Sequence, residues 1–132
     1  MARKSLQAML DDANAEVEAW SPQTASERLR REDTLLVDLR DPRELEREGK
    51  IAGAFHCPRG MLEFWIDPDS PYHKDVFSSD KQFVFFCAGG LRSALAAKTA
   101  QDLGLERVSH IEGGFGAWKE AGLPHEPGKP RS

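Results

Sequence analysis

The segment Cys87-Ala88-Gly89-Gly90-Leu91-Arg92-Ser93 sets a thiol, two glycines and a cation directly after the apolar run Gln82–Phe86. A cysteine attacks as its thiolate, and an ordinary cysteine, with a pKa of about 8.5, is only about 3% ionised at pH 7. Bringing half of it to thiolate takes about 2 kcal/mol of extra stabilisation of the anion. One hydrogen bond to a charged group contributes about 1.5–3 kcal/mol, so one or two amide N–H groups aimed at the sulfur suffice. Ala88, Gly89 and Gly90 leave the backbone open, and glycine allows the positive φ that curls successive N–H groups into an anion-binding nest. A helix beginning near Arg92–Ser93 turns its positive end to the same point. Arg92 adds a permanent charge and a planar fork of donors suited to an oxyanion. The expected chemistry is attack by Cys87 on an anionic substrate held by the loop Ala88–Ser93. A lone cysteine at a strand end is more often a small buried hydrophobe. The glycines and the arginine at the same strand exit favour the chemical reading.

The flanking chain supplies the elements that must position this loop. Leu6, Met9, Leu10, Ala13 and Val17 recur at helical spacing, which predicts an amphipathic helix over residues 4–15. Glu16–Trp20 either continues it or forms a short strand. Ser21 followed by Pro22 reads as a cap and first position of a second helix, running to about Arg31. Thr34–Arg40 is an apolar run that turns polar at Asp38, the pattern of a buried strand whose end reaches solvent or a site. Asp41, Pro42 and Glu44 approximate a capping box, and Gly49 closes that short helix. A strand near Ala54–His56, a helical turn or two after Arg59, and an irregular loop over 67–81 precede the strand that leads into Cys87. After it come a helix to about Leu103, a strand before Glu112 and a last short helix before Gly122. Strands alternate with helices and their apolar runs are nearly continuous. The fold class is therefore α/β, with a central parallel sheet covered by helices on both faces. In such sheets ligands bind beyond the carboxyl ends of the strands, where Cys87, Asp38 and Arg40 all fall.

With those residues in place, Cys87-Ala-Gly-Gly-Leu-Arg92-Ser93 resembles the rhodanese active-site loop, Cys-x-x-Gly-x-Arg-Ser. Leu35–Gly60 is similar to the family's Asp-x-Arg strand end, acidic helix and following turn, and His110–Pro124 to its Gly-Gly-x-x-x-Trp segment. The resemblance implies one rhodanese-like domain over residues 20–124, with an N-terminal helical extension (1–19) and a flexible tail (125–132). It implies a thiosulfate sulfurtransferase working through a persulfide on Cys87, without metal or organic cofactor. The partners it implies are a small anionic sulfur donor and a thiophilic acceptor, cyanide or a thiol, a protein persulfide being a further candidate. Arg92 would hold the donor or its leaving group, and Asp38 and Arg40 would support the loop. Gly113 and Gly114 fit a close backbone approach, and Trp118 fits the core. Lys50 and Ala52 depart from the His and Pro the family often carries there. Met61–Lys81, with Phe64, Trp65 and Tyr72, either walls the loop or packs on the sheet.

Two other readings fit parts of the pattern. A cysteine-dependent phosphatase or arsenate reductase places five residues between Cys and Arg, whereas four stand here, too narrow a cradle for phosphate. A non-catalytic interaction module of the same fold commonly lacks the cysteine that this chain keeps. Cys57 reads as a packed cysteine rather than a redox partner, and His110 as structural or loop-adjacent. The two cysteines and four histidines show no metal-ligand spacing. With 132 residues the chain has the length of one domain. The net charge of −4 argues against nucleic acid. No apolar run is long enough to span a membrane, and no export signal is read, so the expected compartment is the cytoplasm.

Overall fold

A computed structural model describes residues 3–31 and 33–129. Among the described residues, the strands are β1 (Glu18–Trp20), β2 (Thr34–Asp38), β3 (Phe55–His56), β4 (Gln82–Phe86) and β5 (Val108–Ile111). All pair in parallel, in the order β1-β5-β4-β2-β3. The helices are α1 (Leu6–Glu16), α2 (Pro22–Leu29), α3 (Pro42–Glu48), α4 (Leu62–Ile66), α5 (Leu91–Asp102) and α6 (Gly114–Glu120). No helix among the described residues is long and apolar enough to cross a membrane.

Phe83–Phe86 shows why the strands lack polar alternation. Phe83 and Phe85 pack with Val37, Leu62, Ile66, Phe77, Ala96 and Ala97 on one face. Val84 and Phe86 pack with Trp20, Leu36, Ile111, Phe115 and Trp118 on the other. A strand buried on both faces cannot carry a polar side, as expected of a sheet clad by helices. The small side chains of α5, Ala96, Ala97 and Ala100, let it lie close to the sheet. α1 lies on α5, with Leu10 and Ala13 meeting Ala94.

The ends predicted from capping chemistry are the ends observed. Ser21 caps α2 by accepting from the Thr24 amide, with Pro22 in the first turn. Asp41 accepts from the Arg43 and Glu44 amides, and the Glu44 carboxylate accepts in return from the Asp41 amide at 3.0 Å. Gly104, at φ 102°, follows α5 in the left-handed region.

Two expectations about the chain ends change. Residues 3–19 are not a helical extension throughout: Leu6–Glu16 form α1, and β1 takes Glu18–Trp20 into the sheet beside β5. The tail does not hang free over its described part. Lys50 and Glu126 exchange backbone hydrogen bonds (3.0 and 2.7 Å), and the Lys129 amide donates to Glu46 O at 2.8 Å. Extended backbone beside the open end of α3 finds acceptors there, a tertiary pairing that composition does not reveal. Residues 130–132 lie outside the described residues. The segment 61–81 packs rather than forming a lid: Leu62, Ile66 and Phe77 are buried, and Trp65 meets Phe55 edge-on at 6.0 Å. Phe64 and Tyr72 stay exposed.

β2 leads away toward β3 on one side, and β4 leads away toward β5 on the other. The crevice at the carboxyl ends of β2 and β4 is therefore the topological switch point, where open α/β sheets take their ligands. Asp38 and Phe86 are register partners there, and Cys87 is the next residue. Phe85→Ala, emptying a fully buried site between β2 and α5, should cost about 3–5 kcal/mol in a denaturant titration. Phe64→Ala on the exposed face should stay within about 0.5 kcal/mol.

Candidate active site

Cys87 leaves β4 with its side chain buried. Its Sγ accepts a hydrogen bond from the Gly90 amide at 3.1 Å and lies 3.6 Å from Ser93 Oγ. Gly90 stands at φ 103°, the left-handed conformation that turns its amide back onto the sulfur and opens α5 at once. The first amides of α5 have no intrahelical acceptors, so the sulfur sits at the positive end of a 12-residue helix. The Gly90 amide and the helix end both present positive partial charge to the sulfur.

The loop closes against the exit of β5. The Phe115 amide donates to Cys87 O at 2.8 Å and the Gly116 amide to Ala88 O at 3.0 Å. A Cβ at Gly114, where φ is 62°, would overlap Cys87 O and lie 2.8 Å from the Ala88 carbonyl carbon. A Cβ on Gly90 would stand 3.2 Å from the Gly113 nitrogen. Two backbones thus touch with no side chain between them, the close approach expected of Gly113 and Gly114.

Arg92 does not reach into the loop as a free anion binder. Both terminal nitrogens donate to the Glu44 carboxylate, Nη1 at 2.9 Å and Nη2 at 2.8 Å. The fork of donors that suits an oxyanion has found a carboxylate of its own chain. Those bonds raise the Arg92 pKa further above its ordinary value, and the nearby Cys87 adds in the same direction. The Arg92 hydrogen bonds hold the Glu44 carboxyl down at about 2, with the Asp41 amide assisting against burial. Glu44 was read from the sequence only as a cap. Its partner lies 48 positions away, and no local pattern points to it.

Asp38 and Arg40 form a buried pair behind the loop. Asp38 accepts from Arg40 Nε at 3.0 Å, Nη2 at 2.7 Å and the Arg40 amide at 3.1 Å. Arg40 Nη2 also donates to Gly49 O at 3.0 Å, and its Cζ lies 4.2 Å from the Phe115 ring centroid. The pair reaches the loop through Phe115, whose amide holds Cys87 O. Ala88, Gly89 and Leu91 form the outer loop, with Leu91 exposed at 63%. Cys57 lies in the apolar core, and burial pushes its thiol up to about 12.

This fold and loop define a domain family. The profile of the rhodanese-like domain matches residues 21–121, and the chain belongs to that family. A solved structure from Rhodopseudomonas palustris, a protein of unknown function described as a possible tyrosine phosphatase, is 58% identical with a TM-score of 0.90. That match covers 96% of this chain and 97% of the other. The polysulfide-sulfur transferase homodimer of Wolinella succinogenes is 32% identical, TM-score 0.70, over 90% of this chain and 85% of that one. A thiosulfate sulfurtransferase GlpE of Glaesserella parasuis is 31% identical over 108 residues, 82% of this chain and 92% of the relative. Another curated relative is longer, and this chain spans 53% of its length.

Two measurements follow from the site. The depressed Glu44 pKa contributes stability that is full above the ordinary value of 4.5 and lost as pH falls through about 2. Glu44→Gln should flatten that acid limb in denaturant titrations across this range. In the native protein Cys57 should resist iodoacetamide at pH 8 while Cys87 reacts, as peptide mapping of the labelled chain will read.

Proposed function

We propose that the protein is a sulfurtransferase that carries a sulfane sulfur on Cys87. The observation that carries the reading is the Gly90 amide on Cys87 Sγ, 3.1 Å away at the amino end of α5. That arrangement favours negative charge on this sulfur, both before attack and after it has received a second sulfur. The relatives described as thiosulfate and polysulfide-sulfur transferases support the same chemistry.

With thiosulfate as donor, the Cys87 thiolate attacks the outer sulfur. The bond between the two thiosulfate sulfurs breaks, its electron pair leaves with sulfite, and Cys87 becomes a persulfide anion. A thiolate or cyanide ion then attacks the outer sulfur of the persulfide. The S–S bond breaks, its pair returns to Cys87 Sγ, and the acceptor departs as persulfide or thiocyanate. This is covalent catalysis that splits one transfer into two displacements. Charge is conserved at each step, and the amide on Sγ meets a negative sulfur before and after it. Arg92, tied to Glu44, contributes by fixing the first turn of α5 and by its charge near Cys87.

A phosphatase reading takes support from the Rhodopseudomonas palustris protein's description. Three features weigh against it. Four residues separate Cys87 from Arg92, and the Arg92 donors are spent on Glu44 rather than turned to a tetrahedral anion. An aryl phosphate also needs an acid to protonate its leaving oxygen, and Glu44, which meets the loop, is held ionised.

Thiosulfate should add the mass of one sulfur atom to the intact protein, and cyanide should remove it as thiocyanate. Cys87→Ser should abolish both, with melting unchanged within a few degrees because serine is nearly isosteric. An unloaded wild-type protein would return the chain to the class of interaction modules. Hydrolysis of an aryl phosphate in its place would make it a phosphatase.

A further inference from the structure

Beneath the loop lies a buried polar chain that the two displacements do not use. Ser93 Oγ is 3.6 Å from Cys87 Sγ, 3.2 Å from Gly90 O and 3.1 Å from His110 Nδ1. Ser93 is fully buried and His110 is 4% exposed. His110 sits on β5 as the register partner of Phe85 in β4, two residues before the cysteine. Its other ring nitrogen, Nε2, is buried with no hydrogen-bond partner.

That orphan nitrogen selects the tautomer. Burial lowers the His110 pKa, with Glu112 acting in the opposite direction, so the ring is neutral and carries one proton. A proton on Nε2 would bury an N–H with no acceptor, the rarest of unsatisfied groups. Ser93 would then spend its own hydrogen on Nδ1. A proton on Nδ1 donates to Ser93 Oγ, leaves only a lone pair unmatched, and frees the Ser93 hydrogen for another acceptor. The Nδ1–H form makes one more hydrogen bond and strands no donor.

With this tautomer Ser93 has two settings. Beside a neutral thiol, Oγ accepts from Nδ1–H and from the Cys87 S–H, and donates to Gly90 O. Beside a thiolate, Oγ still accepts from Nδ1–H, and its hydrogen turns to Sγ. Gly90 O then keeps the Ala94 amide, 3.3 Å away. The turn costs one weak bond and gains a hydrogen bond to an anion, which is about twice as strong as a neutral one.

We propose that His110 is a positioning residue that acts through Ser93, its Nδ1–H holding the serine as a donor to the anionic sulfur of Cys87. The proposal rests on Cys87 being the reacting group and goes beyond it, since His110 touches neither the sulfur nor a substrate. The histidine stays neutral throughout, and the thiol proton leaves to solvent. The charged groups bearing on Cys87 and His110 are Arg92 on α5, Glu44 opposite it on α3, and Glu112 beyond β5. None of them is altered in the variants below.

The test is the pH dependence of Cys87 alkylation by iodoacetamide, in full-length protein carrying Cys57→Ser so that one thiol is read. His110→Leu and Ser93→Ala should each move the midpoint upward and slow alkylation at pH 7 by about tenfold, the effect of losing one hydrogen bond to an anion. The double variant should move it no further. His110→Asn, whose amide N–H can stand where Nδ1–H stands, should restore most of the rate. A His110→Leu profile that matches the parent's, or single effects that add in full, overturns the proposal. If His110→Leu does not fold, imidazole nitrogen NMR of the parent protein decides. The proton on Nδ1 upholds the proposal, and the proton on Nε2 overturns it. Alkylation requires no sulfur donor, so a shifted profile in a protein that never loads sulfur would sink the sulfurtransferase reading and leave this inference standing.

Discussion

The site depends on a contact between two backbones. Cys87 and Ala88 present their carbonyls to the amides of Phe115 and Gly116, and the glycines between leave nothing to hold the strands' exits apart. Gly90, in the left-handed region, follows this anchored stretch, and its amide is the one that turns onto Sγ. A side chain at Gly114 would push the carbonyls of Cys87 and Ala88 outward and shift the loop that carries that amide.

Electrostatic ties then lock what the backbone contact shapes. Glu44 performs two tasks with one carboxylate. It closes the capping box of α3 by accepting from the Asp41 amide, and it holds both terminal nitrogens of Arg92. The helix after β2 and the helix after β4 are thereby joined across the switch point. Behind them Asp38 and Arg40 are both buried. A buried ion pair gains little net stability against its desolvation, but it strongly disfavours rearrangement, since separating it would leave two uncompensated charges. Arg40 lies over the Phe115 ring, and the Phe115 amide holds Cys87 O. The buried pair therefore packs on the residue whose amide binds the Cys87 carbonyl.

Local chemistry in the sequence marks the elements and the loop that carries Cys87. Strand, glycine and helix start follow one another around Cys87, and each carries a signal that short-range sterics enforce. The family resemblance marks Gly113 and Gly114 for a close approach; Gly114 lies against the carbonyls of Cys87 and Ala88, and the Gly113 nitrogen against Gly90. What stayed hidden depends on distant partners. Glu44 carries the mark of a cap and nothing that points to Arg92. Arg92 itself reads as an anion receptor until its partner is seen. His110 sits within β5 like any satisfied core histidine, and its unpartnered Nε2 is what distinguishes it. Glu126 looks like part of a loose polar end, yet it pairs with Lys50, where this chain departs from the histidine common in its family.

The two cysteines share a depth but not a polar surrounding. Both are free and buried. Around Cys57 lie the apolar side chains of the larger core, and its sulfur's polar neighbour is the Pro58 carbonyl at 3.9 Å. A carbonyl oxygen can only accept, so it does nothing for a thiolate, and the thiol is held protonated. Around Cys87 lie groups that can donate: the Gly90 amide and the Ser93 hydroxyl. The difference is one of polarity at the same depth. Cys87 Sγ meets the Gly90 amide, which donates, where Cys57 Sγ meets a carbonyl, which only accepts. That amide is set by the left-handed backbone of Gly90, which stands against Gly113.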